Sequence, residues 1–160
     1  MKAVLLARGL GSRMKQDGEG VALSESQAKA ATAGAKGMMP IGAGVARPFL
    51  DYVLSALEDA GCTSVCLVVA PDHAVIRDHY EGAGRPSRLR IEYAVQPIAD
   101  GTARALQSAQ AYAAADPFLV LNSDNLYPAP VLRALVELDG PGLPAYARDT
   151  LVHDLSLIHI

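Results

Sequence analysis

The strongest constraint on what this chain folds into is an alternation in hydrophobic pattern: short β-rich apolar runs take turns with longer stretches of helical period. Such alternation specifies an α/β fold, a mostly parallel sheet covered by helices. Strands are expected over Lys2 to Leu6, Ser64 to Ala70, Arg90 to Val95 and Phe118 to Asn122. Val65, Leu67, Val68 and Val69 make a near-continuous apolar run, as in a central strand buried on both faces. The clearest helix is Pro48 to Ala60, where Phe49, Leu50, Val53, Leu54 and Leu57 form one stripe, with Pro48 in the first turn and Gly61 at the stop. Further helices are expected over His73 to Tyr80 with Asp72 as N-cap, over Thr102 to Ala114 after Gly101, and over Pro130 to Leu138.

The chain has 160 residues, 51% of them hydrophobic, enough for one domain with a packed core. Its 14 Lys+Arg against 17 Asp+Glu leave a net charge of -3, so it carries no basic excess for binding nucleic acid. No run approaches the roughly 18 apolar residues of a membrane span, which makes a soluble, cytoplasmic protein the expectation. Cys62 and Cys66 lie too far apart on an extended segment to bond and are expected as small buried residues. His73, His79, His153 and His159 show no ligand spacing. The segment from Gln16 to Ala35, small and polar with an Ala-rich middle, is expected to be a flexible excursion carrying a surface helix. Gly140 to Pro144 has the composition of a linker.

The chemistry concentrates at the ends of the expected strands. The first runs into Ala7-Arg8-Gly9-Leu10-Gly11-Ser12-Arg13-Met14, a glycine-bearing loop where open α/β sheets bind ligands. Glycines there let main-chain N–H groups approach a phosphate, and Arg13 adds a fixed positive fork. Met14 in place of a third glycine and the missing Gly-Lys-Ser/Thr exclude the dinucleotide and Walker loops. Then come Lys36-Gly37-Met38-Met39-Pro40-Ile41-Gly42 and Pro48-Phe49-Leu50-Asp51-Tyr52-Val53. Gln96-Pro97-Ile98-Ala99-Asp100-Gly101-Thr102-Ala103 follows the third strand, and Asn122-Ser123-Asp124-Asn125 the fourth.

In this order, the motifs resemble those of the sugar-1-phosphate nucleotidylyltransferases, over about residues 2 to 148. The resemblance implies a Rossmann-like three-layer sandwich, incomplete at the C-terminus, that transfers a nucleotidyl group from a nucleoside triphosphate to a sugar 1-phosphate and releases pyrophosphate. Arg13 and Lys36 would be the catalytic cations, with Lys29 a competing candidate for the second role. Ala7, Gly9, Leu10, Gly11, Ser12, Gln96, Gly101 and Thr102 would bind the nucleotide, with Gln96 reading the base edge. Asp124 would hold Mg²⁺. Asp100 stands where an apolar residue is usual in the family, and Ser123 where glycine is common. The partners implied are small molecules, with an oligomer open to the complete protein. Two alternatives stay open: a nucleotidyltransferase for another acceptor, of the cytidylyl or molybdopterin-guanylyl type, and a non-catalytic nucleotide-binding module. Residues 149 to 160 depart from the pattern, and Ser156-Leu157-Ile158-His159-Ile160 looks like translated adaptor DNA.

Overall fold

The computed structural model describes residues 1–9, 27, 30, 36–42 and 45–147. Its elements in chain order are β1 (Lys2–Leu6), a 3₁₀ turn (Lys36–Met38), β2 (Pro40–Ile41), β3 (Arg47–Pro48), α1 (Phe49–Asp59), β4 (Ser64–Val69), α2 (Ala74–Glu81), β5 (Arg90–Val95), α3 (Thr102–Ser108), α4 (Gln110–Ala113), β6 (Phe118–Asn122) and α5 (Ala129–Val136). Four strands form one parallel sheet in the order β5-β4-β1-β6, and β2 pairs antiparallel with β3 beside it. The chain fills one side of β1 with β4 and β5 before crossing to add β6 on the other. That reversal opens a crevice at the carboxyl ends of the strands around β1, the usual ligand position in such sheets.

Helices cover both faces of the sheet, giving three layers. On one face Leu5, Val65, Leu67 and Leu121 pack with Leu50, Val53, Leu54 and Leu57 of α1 and with Leu132 of α5. On the other, Val4, Cys66 and Val68 meet Ala105 and Ala109, whose small side chains let α3 and α4 lie close against the strands. Every residue of β4 is buried, as its apolar run requires. Both cysteines are free and buried. Burial, with Glu92 adding to it, pushes the Cys66 thiol up to about 11, so it stays protonated and unreactive at neutral pH.

The strands appear where the hydrophobic pattern places them, except that β4 stops at Val69 rather than Ala70. The helices differ in detail. Asp72 does not cap α2: His73 takes the N-cap position, and its Nδ1 lies 2.7 Å from the Ala70 carbonyl oxygen. The stretch expected as one helix after Gly101 breaks into α3 and α4 at Ala109, whose N–H bonds Leu106 O at 3.0 Å instead of the carbonyl four residues back. Just before the break the Ser108 hydroxyl donates to Arg104 O at 3.1 Å, a competing bond that bends helices. Pro48 is the N-cap of α1 and the end of β3, not part of the first turn. Of the segment Gln16 to Ala35, only Gln27 and Ala30 are among the described residues, both helical. The 149–160 tail lies outside them. No helix among the described residues is long and apolar enough to cross a membrane.

Candidate active site

Backbone hydrogen bonds alone gather three strand ends along the carboxyl edge of the sheet. Ala7 N donates to Val68 O at 2.8 Å, Gln96 N to Val69 O at 2.9 Å and Ser123 N to Leu6 O at 3.2 Å. These bonds carry the parallel ladder one residue past β1, β5 and β6 and hold their exits side by side. The 3₁₀ turn joins them from outside the sheet. Phe49 N donates to Met39 O at 2.9 Å, tying the turn to the start of α1, and Met38 is buried beneath it. A Cβ on Gly37 would lie 3.5 Å from Leu50 Cβ and 3.7 Å from Ser123 O, so the turn's backbone rests directly against the β6 exit.

The result is a cleft of about 320 Å³. Of the residues singled out in the sequence, Ala7, Gly9, Lys36, Gln96, Gly101, Thr102 and Asp124 all line it. Leu10, Gly11, Ser12, Arg13 and Lys29 lie outside the described residues. Lys36 Nζ stands 3.8 Å from Asp124 Oδ2, with the two side chains 32% and 49% exposed. A pair that long and that wet is worth ~0–1 kcal/mol. It yields at little cost to a ligand that offers Lys36 an anion and Asp124 a cation. Opposite them Gln96 is 4% exposed, and its Nε2 donates to Asp100 Oδ1 at 3.2 Å and to Gly101 O at 3.3 Å. Asp100, the departure noted in the sequence, thus orients the Gln96 amide. Gly101 is needed for its φ of 113°, which other residues rarely adopt, and nothing lies within 4 Å of the place a Cβ would take.

Arg8, to which the motif assigns no role, also lines the cleft. Its Nε donates to Gln96 O at 2.6 Å and its Nη2 to Pro97 O at 3.0 Å. An arginine beside a loop glycine offers no sequence signal of partners 88 and 89 residues away.

A family model described as nucleotidyl transferase matches residues 2–139. The chain belongs to the nucleotidyl transferase family. The chain is 27% identical over 127 residues to glucose-1-phosphate thymidylyltransferase of Neisseria gonorrhoeae, covering 79% of this chain and 38% of the relative. The Xanthomonas campestris enzyme of the same name is 26% identical over 126 residues, covering 79% of this chain and 37% of the relative. Among solved structures, a UDP-glucose pyrophosphorylase complexed with UDP-glucose superposes with a TM-score of 0.64 at 21% identity, over 84% of this chain and 51% of that one. HddC from Yersinia pseudotuberculosis, complexed with GMP-PN, superposes with a TM-score of 0.57 at 25% identity, over 77% of this chain and 47% of that one. The chain therefore spans well under half the length of these curated relatives.

Proposed function

We propose that the chain is the nucleotide-binding part of an enzyme that transfers a nucleotidyl group from a nucleoside triphosphate to a sugar 1-phosphate, releasing pyrophosphate. The observation that carries this reading is the convergence of Lys36, Asp124 and Gln96, distant in sequence, on one cleft at the switch point of the sheet. The relatives named glucose-1-phosphate thymidylyltransferase support glucose 1-phosphate as the first acceptor to try. In the reaction an oxygen of the sugar phosphate attacks the α-phosphorus, a new O–P bond forms, and the bond to the β-phosphate oxygen breaks. The protein contributes position and charge rather than covalent chemistry. Lys36 neutralises the non-bridging oxygens as negative charge gathers on them, and Arg13, which lies outside the described residues, is assigned to the triphosphate from its sequence motif alone. Gln96 fixes the base, and Gly9 and Gly101 leave room for the ligand to approach the backbone.

The donor set fits Mg²⁺ in one respect. Mg²⁺ is held in such sites by one or two carboxylates plus substrate phosphates, and Asp124 supplies one carboxylate at the cleft edge. No group of three or more His, Cys, Asp or Glu residues that could hold a metal by themselves occurs among the described residues. When bound, the ion would offset charge on the phosphates and the departing pyrophosphate. The same reading assigns the chain to the cytoplasm, a compartment that supplies nucleoside triphosphates.

A thermal-shift panel of triphosphates with magnesium tests the binding half, and pyrophosphate release with glucose 1-phosphate tests the transfer. A chain whose melting temperature no triphosphate raises would not be a nucleotide-binding unit. Binding without pyrophosphate release, across a panel of sugar phosphates and other acceptors, would leave it a non-catalytic module.

A further inference from the structure

We infer that Tyr127 is a positioning residue for Asp124: its hydroxyl clamps the β6 exit loop from the open side of the sheet and so sets where the carboxylate stands at the cleft edge. The inference rests on the metal role proposed above for Asp124 and adds to it the group that keeps that carboxylate in place. Asp124 is poorly fixed by its own contacts, since its side chain is 49% exposed and its ion pair with Lys36 is 3.8 Å long. The backbone of the loop therefore decides its position. On the inner side Ser123 N donates to Leu6 O at 3.2 Å and ties the loop to the end of β1. Neighbouring N–H groups of a strand point to opposite sides, so Asn122 N–H points away from β1, toward the edge where β6 has no strand partner among the described residues.

Tyr127 takes the place of the missing strand. Asn122 N donates to its hydroxyl oxygen at 3.1 Å, and Asn125 Nδ2 donates to the same oxygen at 3.4 Å. A phenolic oxygen has acceptor capacity for both. The two donors flank Asp124 in sequence, so one oxygen closes the loop around it. That oxygen is itself anchored, because the Tyr127 ring packs partly buried against the core beneath α1 and α5. Pro128 disfavours a helical conformation at the residue before it, which keeps Tyr127 outside α5 and free to reach back to β6. Phenylalanine at this position would keep the ring in the core and remove only the acceptor. Asn122 N–H would then turn to water, and the loop would be free to carry Asp124 away from Lys36. Ligating carboxylates depend on such outer contacts for their orientation.

Calorimetric titration of this chain, once with magnesium and once in EDTA, tests the inference on the tightest-binding of UTP, dTTP, GTP, ATP and CTP. In Tyr127→Phe the factor by which magnesium raises affinity should fall about threefold or more, the scale of one net hydrogen bond, while affinity in EDTA stays within about twofold of wild type. In an Asp124→Asn background the same change should move that factor by less than about twofold, because the clamp has no carboxylate left to place. A merely structural tyrosine would instead lower the melting temperature and both affinities alike, and that result overturns the inference. So does a smaller fall in the magnesium factor, or an undiminished fall in the Asp124→Asn background. A wild-type chain that binds no triphosphate, or binds one without regard to magnesium, would sink the reading of the site and this inference together. Magnesium-dependent binding that Tyr127→Phe leaves intact would sink only the inference.

Discussion

On one wall of the cleft Gln96 is 4% exposed and tied through its amide and backbone to Asp100, Gly101, Val69 and Arg8; on the other, Lys36 and Asp124 face each other at 3.8 Å with 32% and 49% of their side chains in solvent. The first wall is preorganised, so a ligand finds its shape and hydrogen-bond order already set. The second is loosely held, its two charges close enough to attract and too wet to bind each other firmly. The contrast suits a site that must recognise one end of a ligand and handle charge at the other. Recognition needs fixed partners, because selectivity comes from leaving the wrong groups unpaired. Charges that must pass from each other to a ligand serve better when their own pairing is weak.

The comparison breaks most readily at Lys36. Lys36→Ala should lower pyrophosphate release by about 100-fold, the scale of losing one charge-stabilising group, with the melting temperature almost unmoved. A loss of only a few-fold would take Lys36 out of the chemistry. Asp124→Asn comes next: affinity for the magnesium triphosphate should fall about tenfold, while binding measured without magnesium changes little, because the lost charge serves the cation. Equal losses with and without magnesium would contradict the assignment of Asp124.

Gln96→Ala should behave differently in kind. Removing a buried amide whose nitrogen makes two hydrogen bonds costs about 1 kcal/mol of stability as well as about fivefold in nucleotide affinity, so melting temperature and binding should fall together. If only binding fell, the wall would be less preorganised than its hydrogen bonds indicate. Gly37→Ala should have the smallest effect, within about 0.5 kcal/mol and with near-normal binding, because the new methyl group meets its neighbours at ordinary contact distance. Loss of binding in that variant would mean that the Lys36 turn moves closer to Ser123 when the ligand arrives.

Much of this arrangement was legible in the residues. The strand exits carrying Ala7, Gln96 and Asp124 follow from hydrophobic runs that end in glycine or turn residues, since period and punctuation are local properties. Lys36 was placed by the Met-Met-Pro-Ile-Gly that follows it. Other features escaped because their causes are not local. The ribbon of β2 and β3 spans only 2 residues on each strand, too short for any alternation to show. The break at Ala109 depends on a serine hydroxyl choosing a backbone partner, and the N-cap of α2 falls one residue later than predicted, at His73 instead of Asp72, with no side-chain cap. Arg8 is the clearest case, because its partners at the β5 exit lie 88 and 89 residues along the chain.

The sequence by itself determined the α/β class, the four main strands and the set of polar residues delivered to their carboxyl ends, because side-chain period and chain-breaking residues act over a few positions. Only the tertiary structure decided that β6 crosses to the other side of β1, that Lys36 and Asp124 become neighbours, and that Arg8 fastens the turn bearing Gln96. Those are pairings across tens of residues, selected by how the sheet buries its two faces, and no short stretch of chain encodes them.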